Sequence, residues 1–66
     1  MKNNIRVERA IVKISQQQLA DEIGVSRQTI NAIELGKYVP STILSLKIAG
    51  YFKKPVEEIF QLEEGD

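Results

Sequence analysis

Two apolar runs broken by a single glycine, in the segment from Gln16 to Leu35 (QQQLADEIGVSRQTINAIEL), constrain this chain more than any other feature. Leu19, Ala20 and Ile23 precede Gly24, and Val25, Ile30 and Ile33 follow it, each run at helical spacing. Ser15 and Gln18 stand at the spacing of a capping box, in which a hydroxyl and an amide satisfy each other's free backbone donors. Gly24 suits the left-handed residue that closes a helix, and Ser26 can cap the next one. Ala20 is small where two helices must cross closely. The pattern predicts two short helices joined by a tight turn.

The remaining punctuation predicts three more helices and no repeats. Asn3 or Asn4 can cap a first helix from about Asn4 to Val12. The second helix starts after Ser15 and ends at Ile23, and the third runs from Arg27 to Glu34 or Leu35 and stops at Gly36. Pro40 pushes Val39 out of helical conformation, and Ser41 caps a fourth helix to about Phe52. Pro55 suits the first position of a fifth helix ending near Gln61, with Glu57 and Glu58 complementing its dipole. The expected fold is all-α, a compact five-helix bundle in one domain over residues 1–66, with a body at about 5–62 and an acidic tail at 63–66.

Composition narrows the function classes. A chain of 66 residues lies near the lower limit of what one core stabilises, and it has no cysteine or histidine to add a disulfide, a thiolate metal site or an imidazole base. No metal or other cofactor is expected, and self-association is a natural supplement to so small a core. No apolar run approaches the roughly 20 residues that span a bilayer, and no secretory h-region opens the chain, so a cytoplasmic protein without membrane contact is expected. The neutral total hides an asymmetry. Residues 1–47 carry seven basic against four acidic side chains, and residues 48–66 carry two against five. A mildly basic end therefore faces an acidic one, which permits a polyanionic partner without requiring it.

Helical periodicity shows what the third helix turns outward. At about 100° per residue, Ile30 and Ile33 share the inner side, while Gln28, Thr29, Asn31 and Ala32 fall on the outer side and Arg27 lies on the first turn. Glu34, the only acid of this helix, falls inward near Arg27. Amides can bond bidentately to adenine and arginine to guanine, a methyl group can pack on thymine, and a small Ala32 would permit close approach to base edges. With the preceding capped helix and glycine turn, this is the pattern of a helix-turn-helix, whose second helix can enter the major groove of DNA.

The sequence resembles the lambda-repressor-like, or Xre-type, helix-turn-helix proteins, in particular small single-domain regulators. The residues carrying the resemblance are Arg9, Ile14-Ser15-Gln16, Leu19-Ala20, the run from Ile23 to Ile30, Ile33-Glu34, Gly36-Lys37-Tyr38, Pro40-Ser41 and Ile59-Phe60, so it covers about Ile5 to Leu62. The resemblance implies that Gln16 bonds a phosphate and braces the recognition helix, and that Ser26, Arg27, Gln28, Thr29 and Asn31 meet bases or phosphates. It implies phosphate contacts at Lys37 and Tyr38, and an ion pair between Arg9 and Glu34 that ties the first helix to the third. Ser15, Gln17 and Ala32 complete the expected DNA-binding set. Three positions depart from the family pattern. Lys13 replaces a glycine at the end of the first helix, Leu35 projects outward where a polar residue is usual, and Ala32 has no hydrogen bond to offer.

On the fourth helix, Leu44, Ser45, Ile48, Tyr51 and Phe52 share the core side, with Ala49 at its edge. Leu46 is expected to be covered within one monomer. Ile43, Gly50 and the fifth-helix residues Val56, Ile59 and Phe60 are expected to contribute to a two-fold interface, and Gly50 to have a close-packing reason, because glycine inside a helix costs up to about 1 kcal/mol. Catalysis is not expected. The neighbouring carboxylates Asp21-Glu22, Glu57-Glu58 and Glu63-Glu64 diverge on a helix, the serines have no histidine to activate them, and no glycine loop for phosphates is present. The expected function is a homodimeric, sequence-specific transcriptional regulator acting on double-stranded DNA, most simply a repressor at a palindromic operator, with no small-molecule ligand evident. The alternative is an antitoxin or protein-interaction module using the same fold.

Overall fold

Three serines set the helix starts around which the rest of the chain is arranged. The computed structural model describes all residues, Met1–Asp66, in the order β1 (Lys2–Asn3), α1 (Ile5–Val12), α2 (Gln16–Ile23), α3 (Arg27–Glu34), α4 (Thr42–Phe52), α5 (Val56–Ile59) and β2 (Phe60–Gln61). The hydroxyls of Ser15, Ser26 and Ser41 accept from the backbone N–H groups of Gln18, Thr29 and Leu44 at 3.0, 3.1 and 3.1 Å. At α2 the capping box is complete, because the Ser15 N–H donates to Gln18 Oε1 at 2.7 Å.

The helix ends follow an equally local logic. Gly24 closes α2 in the left-handed region at φ 85°. Lys13 closes α1 at φ 59°, with Ile14 N–H donating to Arg9 O and Lys13 N–H to Ala10 O. The turn after α1 therefore keeps the left-handed conformation that favours glycine, although a lysine occupies it.

The core is one cluster of 12 apolar residues, of which Ile5, Leu19, Ile30, Ile33, Ile48 and Ile59 are the largest fully buried side chains. They come from α1, α2, α3, α4 and α5, so α2 and α3 pack on each other with the remaining helices behind them. Ala20, fully buried, sits in this packing as the crossing of α2 and α3 requires.

The C-terminal region departs from expectation. α5 ends at Ile59, and Phe60 turns extended at φ −120°, ψ 132°. Phe60–Gln61 pairs antiparallel with Lys2–Asn3, with Lys2 opposite Gln61 and Asn3 opposite Phe60. The cause lies at the other end of the chain. Asn4 N–H donates to Ile59 O at 2.8 Å and Asn4 Nδ2 to Glu58 O at 3.0 Å, so the carbonyls that another helical turn would occupy are already satisfied. Pro55 is the N-cap rather than the first helical residue. The tail is also tied down: Glu63 N–H donates to Asp66 Oδ2 at 2.7 Å, and the Met1 amine pairs with Asp66 at 2.9 Å and Glu63 at 3.1 Å.

On α4, Leu44, Ile48, Ala49 and Phe52 are buried as their spacing predicts. Leu46, expected under cover of the monomer, is 57% exposed, beside Ile43 at 70%. A Cβ at Gly50 would meet nothing within 4 Å, so no close packing inside the monomer explains that glycine. Ile59 and Phe60, assigned to a two-fold interface, are instead core residues of the monomer, because the β1–β2 pairing draws the end of α5 inward.

Candidate nucleic-acid interface

The side chains of α3 divide as the periodicity predicts. Ile30 and Ile33 are buried, Arg27, Gln28 and Asn31 are exposed, and Thr29 and Ala32 are half-buried. Ser26 is held at the start of α3 by two bonds: its Oγ accepts from Thr29 N–H and lies 2.9 Å from Thr29 Oγ1. Gly36 at φ 75° turns the chain away after α3, and the Lys37 N–H donates back to Ala32 O at 2.9 Å, which leaves Lys37 and Tyr38 exposed just past the helix end. Neither Arg27 nor Lys37 is tied up in an ion pair. Free cations thus stand near both ends of a neutral outer face.

Behind that face lies a connected polar network. Arg9 Nε and Nη2 donate to Glu34 Oε2 and Oε1 at 2.7 and 3.0 Å, a bidentate pair, and Arg9 Nη1 donates to Ile14 O at 3.1 Å. The Glu34 side chain is 6% exposed and that of Arg9 15%, so the only acid of α3 is neutralised and withdrawn from the outer face. The hydrogen bond to Glu34 and its charge outweigh desolvation and hold the Arg9 guanidinium even further above its ordinary range. The wheel places Glu34 beside Arg27, but the carboxylate bonds to Arg9 and Gln16 instead.

Gln16 bridges the two helices. Its Nε2 donates to Asn31 Oδ1 at 3.0 Å and to Glu34 Oε1 at 3.1 Å, which braces α3 against the first turn of α2. Ser15 is engaged in the capping box, and Gln17 donates to Asp21 at 2.8 Å along its own helix. The first-turn N–H groups of Gln16 and Gln17 have no intrahelical acceptor and suit an anion. Arg6, Arg9, Gln16, Asn31, Glu34 and Leu35 line one cleft of about 320 Å³.

Sequence reasoning passed over Arg6, which is exposed and lines this cleft. The signal was present: Arg6 and Arg9 are three apart on α1 and share a face. It left Asn3 as a possible cap; Asn3 Oδ1 does accept from the Ile5 N–H at the start of α1 at 3.3 Å, and its Nδ2 also donates to Ile33 O at 2.8 Å and secures the last turn of α3. No helix is long and apolar enough to cross a membrane.

The helix-turn-helix family model HTH_3 matches residues 5–59. Over 66 residues the chain is 48% identical to an uncharacterized HTH-type transcriptional regulator of Methanocaldococcus jannaschii, with 100% of both chains covered. It is 48% identical over 64 residues to YgzD, an uncharacterized HTH-type transcriptional regulator of Bacillus subtilis, covering 97% of each. A third such regulator, of Methanothermobacter thermautotrophicus, is 43% identical over 65 residues, covering 97% of this chain and 94% of that one.

Proposed function

The chain belongs to the helix-turn-helix family of transcriptional regulators, which are not enzymes, and from that premise we propose that it is a cytoplasmic DNA-binding repressor. In this reading it binds a palindromic operator as a homodimer, through the major groove. The observation that carries the reading is the outer face of α3, where Arg27 and Gln28 stand exposed on a helix whose one acid is sequestered by Arg9. Arg27 and Gln28 read bases together with Asn31, whereas Thr29 and Ser26 fix the N-terminus of α3 close to the phosphates, and Ala32 lets the helix approach. The free backbone N–H groups of Gln16 and Gln17 at the start of α2 take a phosphate on one side, the Gln16 side chain being engaged with Asn31 and Glu34. Lys37 and Tyr38 take one on the other, and Arg6 adds a third cation at the edge of the cleft. Ser15 and Gln17 act through their backbone and by shaping this turn.

Ile43 and Leu46 support the dimer, because two exposed aliphatic side chains on α4 flank an open Gly50 and need a cover. Two copies joined there would present their α3 helices about 34 Å apart, one turn of DNA. In this reading repression follows from occlusion of a promoter by the bound dimer.

Selection from a random DNA pool tests the whole reading. The wild type should enrich a two-fold symmetric sequence with an affinity that falls steeply with salt. The double substitution Arg27→Ala/Gln28→Ala should remove at least about 30-fold of the preference for that sequence, since each base contact supplies about 1–3 kcal/mol, and leave the circular-dichroism spectrum unchanged. No enrichment, with retained binding of a protein partner, would support the interaction-module alternative instead.

A further inference from the structure

We propose that the ion pair behind α3 sets the polarity of the Asn31 amide, so that Asn31 meets the major groove as a hydrogen-bond donor and discriminates against cytosine. This rests on α3 being the helix that reads DNA. Each link of the network has only one direction its chemistry allows. Arg9 is donor-only, and both its bonds to Glu34 run toward the carboxylate. Glu34, as the carboxylate of that pair, only accepts. The Gln16 amide must therefore turn its nitrogen toward Glu34 Oε1, 3.1 Å away. The second hydrogen on the same nitrogen reaches Asn31, which answers with Oδ1 at 3.0 Å. The Asn31 oxygen is thus committed toward α2, and its Nδ2 remains on the exposed side with no partner in the protein.

A carboxamide has nearly equal shape either way round, so an unsupported Asn31 could offer its donor or its acceptor to a base. The chain from Arg9 through Glu34 and Gln16 removes that choice. In the major groove purines present N7, guanine adds O6 and thymine presents O4, all acceptors, whereas cytosine presents the N4 amine alone. A donor at Asn31 fits the first group and leaves cytosine facing it donor to donor. The bidentate amide pairing with adenine, which needs oxygen and nitrogen together, is left to Gln28, whose amide has no partner in the protein. Gln16 and Glu34 are then positioning residues, acting on recognition through Asn31.

The experiment compares base-preference profiles from random-pool selection for the wild type, Asn31→Ala, Asn31→Asp and Gln16→Ala, each normalised to that protein's best site. The wild type should show one step per half-site at which cytosine is disfavoured about tenfold, and Asn31→Ala should lose that discrimination at that step alone. Asn31→Asp keeps the oxygen that accepts from Gln16 but turns a second oxygen outward. Cytosine should therefore move from least to most favoured at the same step, whatever the added charge does to total affinity. Gln16→Ala frees the amide to flip and should flatten the preference there with helical content unchanged. In the free wild-type protein, nitrogen-15 NMR should show the Gln16 side-chain NH₂ exchanging with solvent several-fold more slowly than those of Asn31 and Gln28. An Asn31→Asp profile matching the wild type, or a Gln16 NH₂ exchanging as fast as that of Gln28, would overturn the proposal. A wild type that enriches a sequence indifferent to Asn31→Ala sinks this inference and leaves the DNA-reading function standing. A wild type that enriches nothing sinks both.

Discussion

The α2–α3 half and the region joining the two termini are built on different principles. In the first, each helix is started by a serine three residues from the donor it caps and is closed by a local turn, and one network from Arg9 to Asn31 joins the faces. In the second, α5 has four residues and no side-chain cap, and its end is set by Asn4, 54 residues from Glu58 in the chain. The first half holds its shape through local rules plus buried charge; the second holds it through contacts that exist only once the chain has closed. A surface that reads another molecule to fractions of an ångström benefits from the first arrangement.

Removing Glu34 attacks that difference most directly. Glu34→Ala leaves the Arg9 guanidinium, 15% exposed, without its bidentate partner and frees Gln16 from one of its two acceptors. The expected loss is about 3 kcal/mol, the lower part of the range for breaking a buried pair, measured by urea unfolding. The corresponding pair of the other region, Lys54 with Glu8, has its lysine side chain 38% exposed, so Glu8→Ala leaves behind a cation that water can reach and should cost clearly less. Equal losses would mean that the two halves do not differ in how they use charge.

Smaller changes can show where each contact exerts its effect. Ser26→Ala deletes the cap of α3 and should cost about 1 kcal/mol, with faster hydrogen exchange confined to the first turn of α3. Asn4→Ala removes the bond to Glu58 O and should cost a similar or smaller amount, about 0.5–1 kcal/mol. Its exchange effect should reach both α1 and α5, because those elements meet through that residue. A Ser26→Ala effect spreading to α5 would erase the distinction.

The same division explains what the sequence made legible. The bounds of α2, α3 and α4 follow from signals inside or next to each helix, namely Ser15 with Gln18, Gly24, Ser26, Gly36 and Ser41, and these elements lie where the spacing puts them. The strand pair and the early end of α5 were invisible, because Phe60 becomes extended for the sake of backbone groups at Lys2 and Asn4. At the candidate interface, which residues of α3 turn outward could be read from periodicity. The bond from Gln16 to Asn31, and so the direction the Asn31 amide faces, could not, since it depends on how α2 crosses α3. Arg6 was readable in principle from its spacing to Arg9.

The smallest expected effect belongs to the clasp between the termini, and it has a definite sign. Hydrogen bonds to Asp66 and Glu63 raise the Met1 amine above its ordinary 8.0. The Glu63 N–H, followed by the amine, holds the Asp66 carboxyl below its ordinary 3.8. An amine whose folded pKa exceeds its unfolded one contributes fully below the unfolded value and loses that contribution as pH rises through the folded one. A carboxyl with a depressed folded pKa contributes above its unfolded value and loses it as pH falls through the folded one. The clasp should therefore be intact between about pH 4 and 8 and weaken on either side. Both groups are solvent-exposed, so screening keeps the gain small and salt-sensitive. Thermal melting of the free and the N-terminally acetylated chain should differ by a degree or two at pH 7 and converge once the pH has risen through the amine's folded pKa. A difference that persists at high pH would assign the effect of acetylation to the β1–β2 pairing rather than to the amine's charge.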